Sequence, residues 1–364
     1  MKKSHGGNRG DEQSSNKERT INNMIIISHN EGIVNIYAQN GKNAIIDNKE
    51  EKTAKFKKKT AEMKQKSLIV SEKMKKINFK RGLRMEHCAD TIHFYKCPNC
   101  GKYEITNMER CRDRMCPLCN WILARQRLIN MVEVLNKIGE EDKYNFFFLT
   151  LTIRNVKPKE IDEALKCMAK AWDKMMKRRI VKENLKGWAR STEITYNEIT
   201  HTVHPHYHVI LVYDKNFKDI LDGAYFKPTW KETLQITYDP VIDFRPIRAK
   251  AENNDNEEQA KIYGAVLETF KYSTKSNDLI NMPLKEFTEL VNGISNKRMV
   301  SFGGIIKKTR KELNIIDEEA EEQEELKQTK TCECGAEMLL YTAEWATASS
   351  GYKETFKEAY RKAE

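Results

Sequence analysis

Three histidines fall within five residues in the segment His204-Pro-His206-Tyr-His208-Val-Ile-Leu-Val. Side chains two apart on a β-strand face the same side, so this spacing predicts that His206 and His208 converge on one point. Two imidazoles from one strand leave coordination positions for another ligand, water and substrate, which suits an open catalytic ion better than a closed structural one. The preceding strand-like run, 191–196, offers a third ligand. Paired antiparallel with 205–210, it is expected to set Glu193 opposite His208 and Thr195 opposite His206, on one face. Two imidazoles and a carboxylate accept Mg²⁺ or Mn²⁺ and leave room for phosphate oxygens. Glu198 is an alternative carboxylate on the connecting loop, and His201 and His204 read as loop or supporting residues. The plainer reading of the segment is a histidine-rich surface strand with no metal.

The second chemical signal is sulfur. Six of the nine cysteines lie between residues 88 and 119, and Cys97-Pro-Asn-Cys100 and Cys116-Pro-Leu-Cys119 stand fifteen residues apart. Two such knuckles predict one tetrahedral structural Zn²⁺ on Cys97, Cys100, Cys116 and Cys119, with Cys88 and Cys111 as possible substitutes. The alternative is a set of buried cysteines without metal. Arg110, Arg112 and Arg114, between the knuckles, could face a DNA backbone. Cys332-Glu-Cys334 is a half-motif with no evident partner and reads as an incidental turn.

The third signal is weaker on its own. In Glu268-Thr-Phe-Lys-Tyr272-Ser-Thr-Lys275, helical spacing sets Glu268, Tyr272 and Lys275 on one face. A phenol of ordinary pKa near 10 is a poor nucleophile. A nearby metal and a lysine would each favour its phenolate, and Glu268 could act as a base on water or on a 3′-hydroxyl. Such a pair is more often an exposed helix face.

Around these residues, Phe146–Ile153 reads as a buried strand, 189–196 and 206–213 as two more, and 298–302 as a short one. Residues 122–139, 158–182 and 257–275 read as helices. That order predicts an α+β fold with an antiparallel sheet. Residues 24–27 and 33–38 are short β-like runs. From Glu50 to Arg84 lysine is dense, which reads as a solvated helix or a basic arm. The net charge of +11 and pI of about 9.0 favour a polyanionic partner. A membrane span or a secretory signal is not evident, so a cytoplasmic location with reduced cysteines is expected. The chain also lacks a GxxxxGK[ST] loop, so any unwinding must come from another protein.

Taken in order, Phe148-Leu-Thr-Leu-Thr-Ile-Arg-Asn155, His204-Pro-His206-Tyr-His208-Val and Lys271-Tyr272-Ser-Thr-Lys275 resemble the three motifs of plasmid rolling-circle replication initiators, the Rep type of HUH endonuclease. Cys111-Arg-Asp-Arg-Met-Cys116-Pro-Leu-Cys119-Asn-Trp121, Tyr238-Asp-Pro-Val-Ile-Asp243 and Ser301-Phe-Gly-Gly304 are similar to that family as well, so the resemblance spans roughly residues 85–313. It implies an HUH endonuclease-type antiparallel sheet with flanking helices, preceded by a small Cys-rich zinc-binding module. The chain then divides into a basic, partly disordered extension (1–84), a zinc-ribbon-like module (85–121), the endonuclease domain (122–313) and an acidic linker with a C-terminal appendage (314–364). The resemblance further implies that His206 and His208 bind Mn²⁺ or Mg²⁺, and that Thr150 and Thr152 lie on the neighbouring strand. Tyr272 would form a 5′-phosphotyrosine link at a plasmid origin, in a hairpin or single-stranded nick site, and leave a 3′-hydroxyl primer. Glu268 would activate water to end replication, and host helicase and polymerase would be partners. Tyr263 leaves a two-tyrosine scheme open. Competing readings are a relaxase or transposase of the same superfamily, or a non-catalytic zinc-ribbon repressor.

Overall fold

The computed structural model describes residues 49–216, 221–247, 264–270, 274–315, 330–347 and 350–356. The expected strands at 24–27 and 33–38, Tyr263, Tyr272 and the acidic stretch at 317–325 lie outside the described residues. In chain order the elements are α1 (Lys49–Ile77), α2 (Phe79–Glu86), β1 (Thr91–Lys96), β2 (Tyr103–Met108), α3 (Pro117–Gly139), β3 (Tyr144–Thr152), α4 (Ile161–Met176), α5 (Arg179–Asn184), β4 (Leu185–Asn197), β5 (Thr202–Asp214), α6 (Gly223–Leu234) and β6 (Ile242–Pro246). They continue with α7 (264–269), then α8 (Ser276–Asn281), α9 (Leu284–Gly293), β7 (Val300–Gly303), α10 (Gly304–Glu312), β8 (Lys330–Thr331), β9 (Glu337–Thr347) and β10 (Gly351–Phe356).

The larger unit is built on an antiparallel sheet in the order β6-β3-β5-β4-β7. Its central strands are apolar almost without interruption, with Phe146 to Leu149 and Val209 to Tyr213 all buried, because helices cover both faces. On one face Tyr207 packs beneath Trp172 of α4 and Trp230 of α6, with the Arg190 guanidinium 4.4 Å from its ring centroid. On the other, Phe146, Phe148, Ile210 and Val212 meet Leu128, Met131 and Leu135 of α3, Ile306 of α10, and Val266 and Phe270. Burying a side chain of this size is worth roughly 1.5–3 kcal/mol, so both cores fix the face each strand residue presents.

The smaller unit is a second antiparallel sheet, β10-β9-β1-β2, with β8 paired to β9. Residues 330–356 therefore complete a sheet begun by the Cys-rich hairpin: Phe94 of β1 lies opposite Tyr341 of β9 and stacks on it at 5.5 Å.

Two expectations about helices change. The lysine-rich segment is not a free arm. Helix α1 buries Phe56, Met63, Val70 and Met74. Its Lys64, fully buried, donates to the carbonyls of Glu86 and Cys88 and to Asp90 Oδ1. Lys73 donates to the carbonyls of Leu279, Ile280 and Met282. The helix expected over 257–275 does not reach its end. Thr274 forms a parallel bridge with Ile194 of β4, and Lys275 is extended, capping α8 with ψ of 137°. Lys275 thus does not share a helical face with Glu268, because pairing to the sheet overrides the helical spacing.

Candidate metal centre

The strand pairings bring one donor set together. Glu193 lies opposite His206, and Thr195 opposite His204, two residues away from the expected register. A slip of two keeps every side chain on its face, so the expected ligands still converge. Glu193 Oε2 is 3.2 Å from His206 Nε2 and 2.9 Å from His208 Nε2. All three side chains are buried, and together they form a group able to hold a metal ion. Across β3, Thr150 pairs with His208 and Thr152 with His206.

The outer nitrogens of both rings are engaged by the protein. His206 Nδ1 donates to the carbonyl of His204 at 3.2 Å. A carbonyl only accepts, so the neutral ring carries its proton on Nδ1 and turns the Nε2 lone pair toward Glu193. His208 Nδ1 lies 3.3 Å from Thr150 Oγ1, and His208 stacks on Phe148 at 5.5 Å. A lone pair on His206 aimed at a carboxylate needs a cation between them, a proton or a metal. Burial alone would push the Glu193 carboxyl up. The hydrogen bonds from His206 and His208 outweigh it and hold the group well below the usual carboxylate range.

The other candidates separate into supporting and remote positions. His204 Nδ1 meets Asn155 Oδ1 at 2.8 Å. His201 lies 2.9 Å from the Tyr196 hydroxyl and 3.1 Å from Glu286. Glu198 accepts from Asn281 at 2.6 Å and is not among the converging donors. Glu268 pairs with Arg245, whose guanidinium sits 4.7 Å from the centroid of Phe148, the ring beneath His208. Arg245 was not singled out from the sequence, and only its place on edge strand β6 reveals it. Tyr272 lies outside the described residues. On its two sides, the Thr269 carbonyl accepts from Ser191 Oγ and Thr274 bridges Ile194, so both flanks are attached to β4 around Glu193.

The cysteines form two groups rather than one. Cys88, Cys111, Cys116 and Cys119 are one set, and Cys97, Cys100, Cys332 and Cys334 are another. The expected pairing of the two CxxC knuckles fails because the β1–β2 hairpin holds them apart. Cys97 and Cys100 sit at its tip, whereas Cys88 and Cys111 flank its base beside Cys116 and Cys119 at the start of α3. Six-residue strands separate tip from base by roughly 20 Å. In the first set Cys88 Sγ is 3.4 Å from Cys119 Sγ and 3.7 Å from Cys116 Sγ, and Cys111 Sγ is 3.6 Å from Cys119 Sγ. Cys332 and Cys334, read as an incidental turn, have a partner pair after all. Arg114 donates to the carbonyls of Ile294 and Lys297 at 2.9 Å, which anchors the module to the larger unit.

An α+β sheet with two imidazoles and a carboxylate converging from adjacent strands defines a protein with a buried donor set that could hold a metal ion. The chain matches the family model described as "Replication protein" over residues 102–353, more than half its length, and it belongs to that family, in keeping with the resemblance to plasmid replication initiators. It is 29% identical over 261 residues to "Protein rep" of Streptococcus pneumoniae serotype 2 (strain D39 / NCTC 7466), covering 70% of this chain and 79% of that one. It is 30% identical over 253 residues to "Protein rep" of Lactiplantibacillus plantarum, covering 67% and 78%. A "Replication protein" of Staphylococcus aureus is 31% identical over 195 residues, covering 51% and 81%. No solved structure matches the chain. Among the described residues, no helix is long and apolar enough to cross a membrane.

Proposed function

We propose that this chain initiates plasmid rolling-circle replication by nicking one strand at the double-strand origin. The observation that carries the reading is the convergence of His206, His208 and Glu193 on one point of the sheet in a member of the Replication protein family. A divalent ion, Mn²⁺ or Mg²⁺, bound there would supply charge stabilisation to a phosphate. Its donors are two imidazole nitrogens, that of His206 with its proton on the far side, and a carboxylate.

Tyr272 is the nucleophile in this reading. It stands two residues from Thr274, and the bridge from Thr274 to the neighbour of Glu193 supports the reading. The phenolate oxygen forms a bond to the phosphorus of the unpaired strand. The bond to the 3′-oxygen breaks, and that oxygen takes up a proton to become the primer hydroxyl. One phosphodiester is exchanged for another, so no nucleotide is consumed. Lys275, three residues on, favours the phenolate. Glu268, held by Arg245 beside Phe148, accepts the proton of the water that ends the cycle. The Cys88, Cys111, Cys116 and Cys119 group holds a structural Zn²⁺, the basic surface holds duplex DNA, and host helicase and polymerase extend the primer.

The test incubates the protein with supercoiled plasmid carrying its own gene, with Mn²⁺ or with a chelator. Protein-linked nicks are expected with the metal alone. Binding without cleavage under both conditions would replace this reading with that of a non-catalytic DNA-binding protein.

A further inference from the structure

We infer that Cys97, Cys100, Cys332 and Cys334 form a second structural zinc site, separate from the Cys88 group, which fastens the C-terminal strands to the tip of the β1–β2 hairpin. The two halves are built alike. In the first, Cys97 N donates to the carbonyl of Lys102 at 2.8 Å and Gly101 N to that of Cys97 at 3.0 Å. In the second, Cys332 N donates to the carbonyl of Ala336 at 2.8 Å and Gly335 N to that of Cys332 at 2.9 Å. Each turn closes on a glycine with positive φ, 68° at Gly101 and 82° at Gly335, a conformation that side chains resist. Both turns bring their sulfurs to one point.

The sulfurs interleave across the halves, with Cys97 Sγ 3.5 Å from Cys334 Sγ and Cys100 Sγ 3.5 Å from Cys332 Sγ. Tetrahedral zinc with Zn–S near 2.3 Å sets its thiolates roughly 3.8 Å apart, whereas a disulfide needs about 2.05 Å. The spacing fits an ion and not a bond, and all four cysteines are free. Four thiolates call for a soft tetrahedral cation and leave no position for substrate, so the role is structural. Around the sulfurs, Lys102 pairs with Glu333 at 2.7 Å and Lys330 with Glu104 at 2.5 Å, while β9 lies along β1. An ion here closes a very long loop, where cross-links restrict the unfolded chain most.

The inference does not depend on the nicking chemistry, and its test reads thiols and zinc rather than activity. Full-length protein is treated with iodoacetamide with Zn²⁺ bound and after chelation, and each cysteine is followed by mass spectrometry. Cys100 and Cys334 are exposed, so without an ion they should alkylate readily. With Zn²⁺, Cys97, Cys100, Cys332 and Cys334 are expected to be protected together, while exposed Cys167, outside both groups, reacts in either state. The double variant Cys332→Ser/Cys334→Ser should lose one zinc per chain relative to the parent and keep Cys88, Cys111, Cys116 and Cys119 protected. Free alkylation of Cys332 and Cys334 in zinc-loaded parent protein would overturn the site. Because that reading uses the unaltered chain, failure of the variant to fold leaves the test decisive.

Discussion

Thr274 is joined by a parallel bridge to Ile194, the residue that follows Glu193 on β4. Thr274, two residues after Tyr272, is therefore tied to the strand that carries Glu193. If Tyr272 is the nucleophile, Tyr272→Phe should abolish the covalent protein–DNA adduct and leave origin binding close to that of the parent. Gel electrophoresis of radiolabelled origin DNA under denaturing conditions separates the two readouts. An adduct of normal yield in the variant would assign the chemistry to another residue.

The proton on His206 Nδ1 and the Thr150 contact to His208 should tune the ion rather than the fold. Replacing Thr150 by Val preserves the β-branched shape and removes the hydroxyl 3.3 Å from His208 Nδ1. Loss of such a supporting partner weakens metal affinity by about 10–100-fold. Titration with Mn²⁺ followed by calorimetry or electron paramagnetic resonance measures this, with the thermal midpoint of the metal-free protein expected to change little. Unaltered affinity would show that the hydroxyl plays no part in positioning the ring.

Glu193 gives a pH signature to the metal-free protein. Its carboxyl is held below the ordinary value of 4.5, so the native state favours the ionised form more than the unfolded state does. That stabilisation is fully present above pH 4.5 and is lost as the pH falls further. Urea midpoints measured in chelator from neutral to acid conditions should decline below that value, and Glu193→Gln should flatten the decline. Equal steepness in both proteins would mean that other carboxylates dominate.

Gly304 is expected to tolerate no side chain. Its φ is +58°, and an added Cβ would fall 2.1 Å from the carbonyl oxygen of Lys186, where β7 gives way to α10. Strained backbone of this kind costs about 1–3 kcal/mol, and the clash adds to it. A drop in the chemical-denaturation midpoint of Gly304→Ala at unchanged m-value would register the loss. A neutral effect would mean that the edge of the sheet shifts freely.

Much of the candidate metal site could be read from residue types. The period-two spacing of His206 and His208 set them on one face, and the aromatic run before Thr150 marked a strand covered on both sides. The register was less accessible, because it is fixed by the turn at 198–201, where His201 takes φ of +51°, and side-chain pattern does not reveal turn geometry. The error of two residues spared the site since it conserved the face. The cysteines show a different limit. Local spacing announces a knuckle at Cys97 and Cys100 but says nothing of which distant knuckle faces it, a choice made by β1 lying along β9. For Lys275, helical spacing suggested a shared face that the bridge at Thr274 forbids, and for Lys64 a lysine-dense stretch concealed a cation buried against three backbone and side-chain oxygens.

The late position of β9 in the chain has a temporal consequence. Proteins emerge from the ribosome at about 5–20 residues per second, so β1 is synthesised on the order of ten to fifty seconds before the strand that will lie along it. The five-stranded sheet bearing His206 and His208 is complete by β7, made late in that interval but before β9. The smaller sheet must wait, and a ribosome halted before residue 337 would release a chain whose histidine sheet is whole while the flank of β1 is bare and open to unwanted pairing.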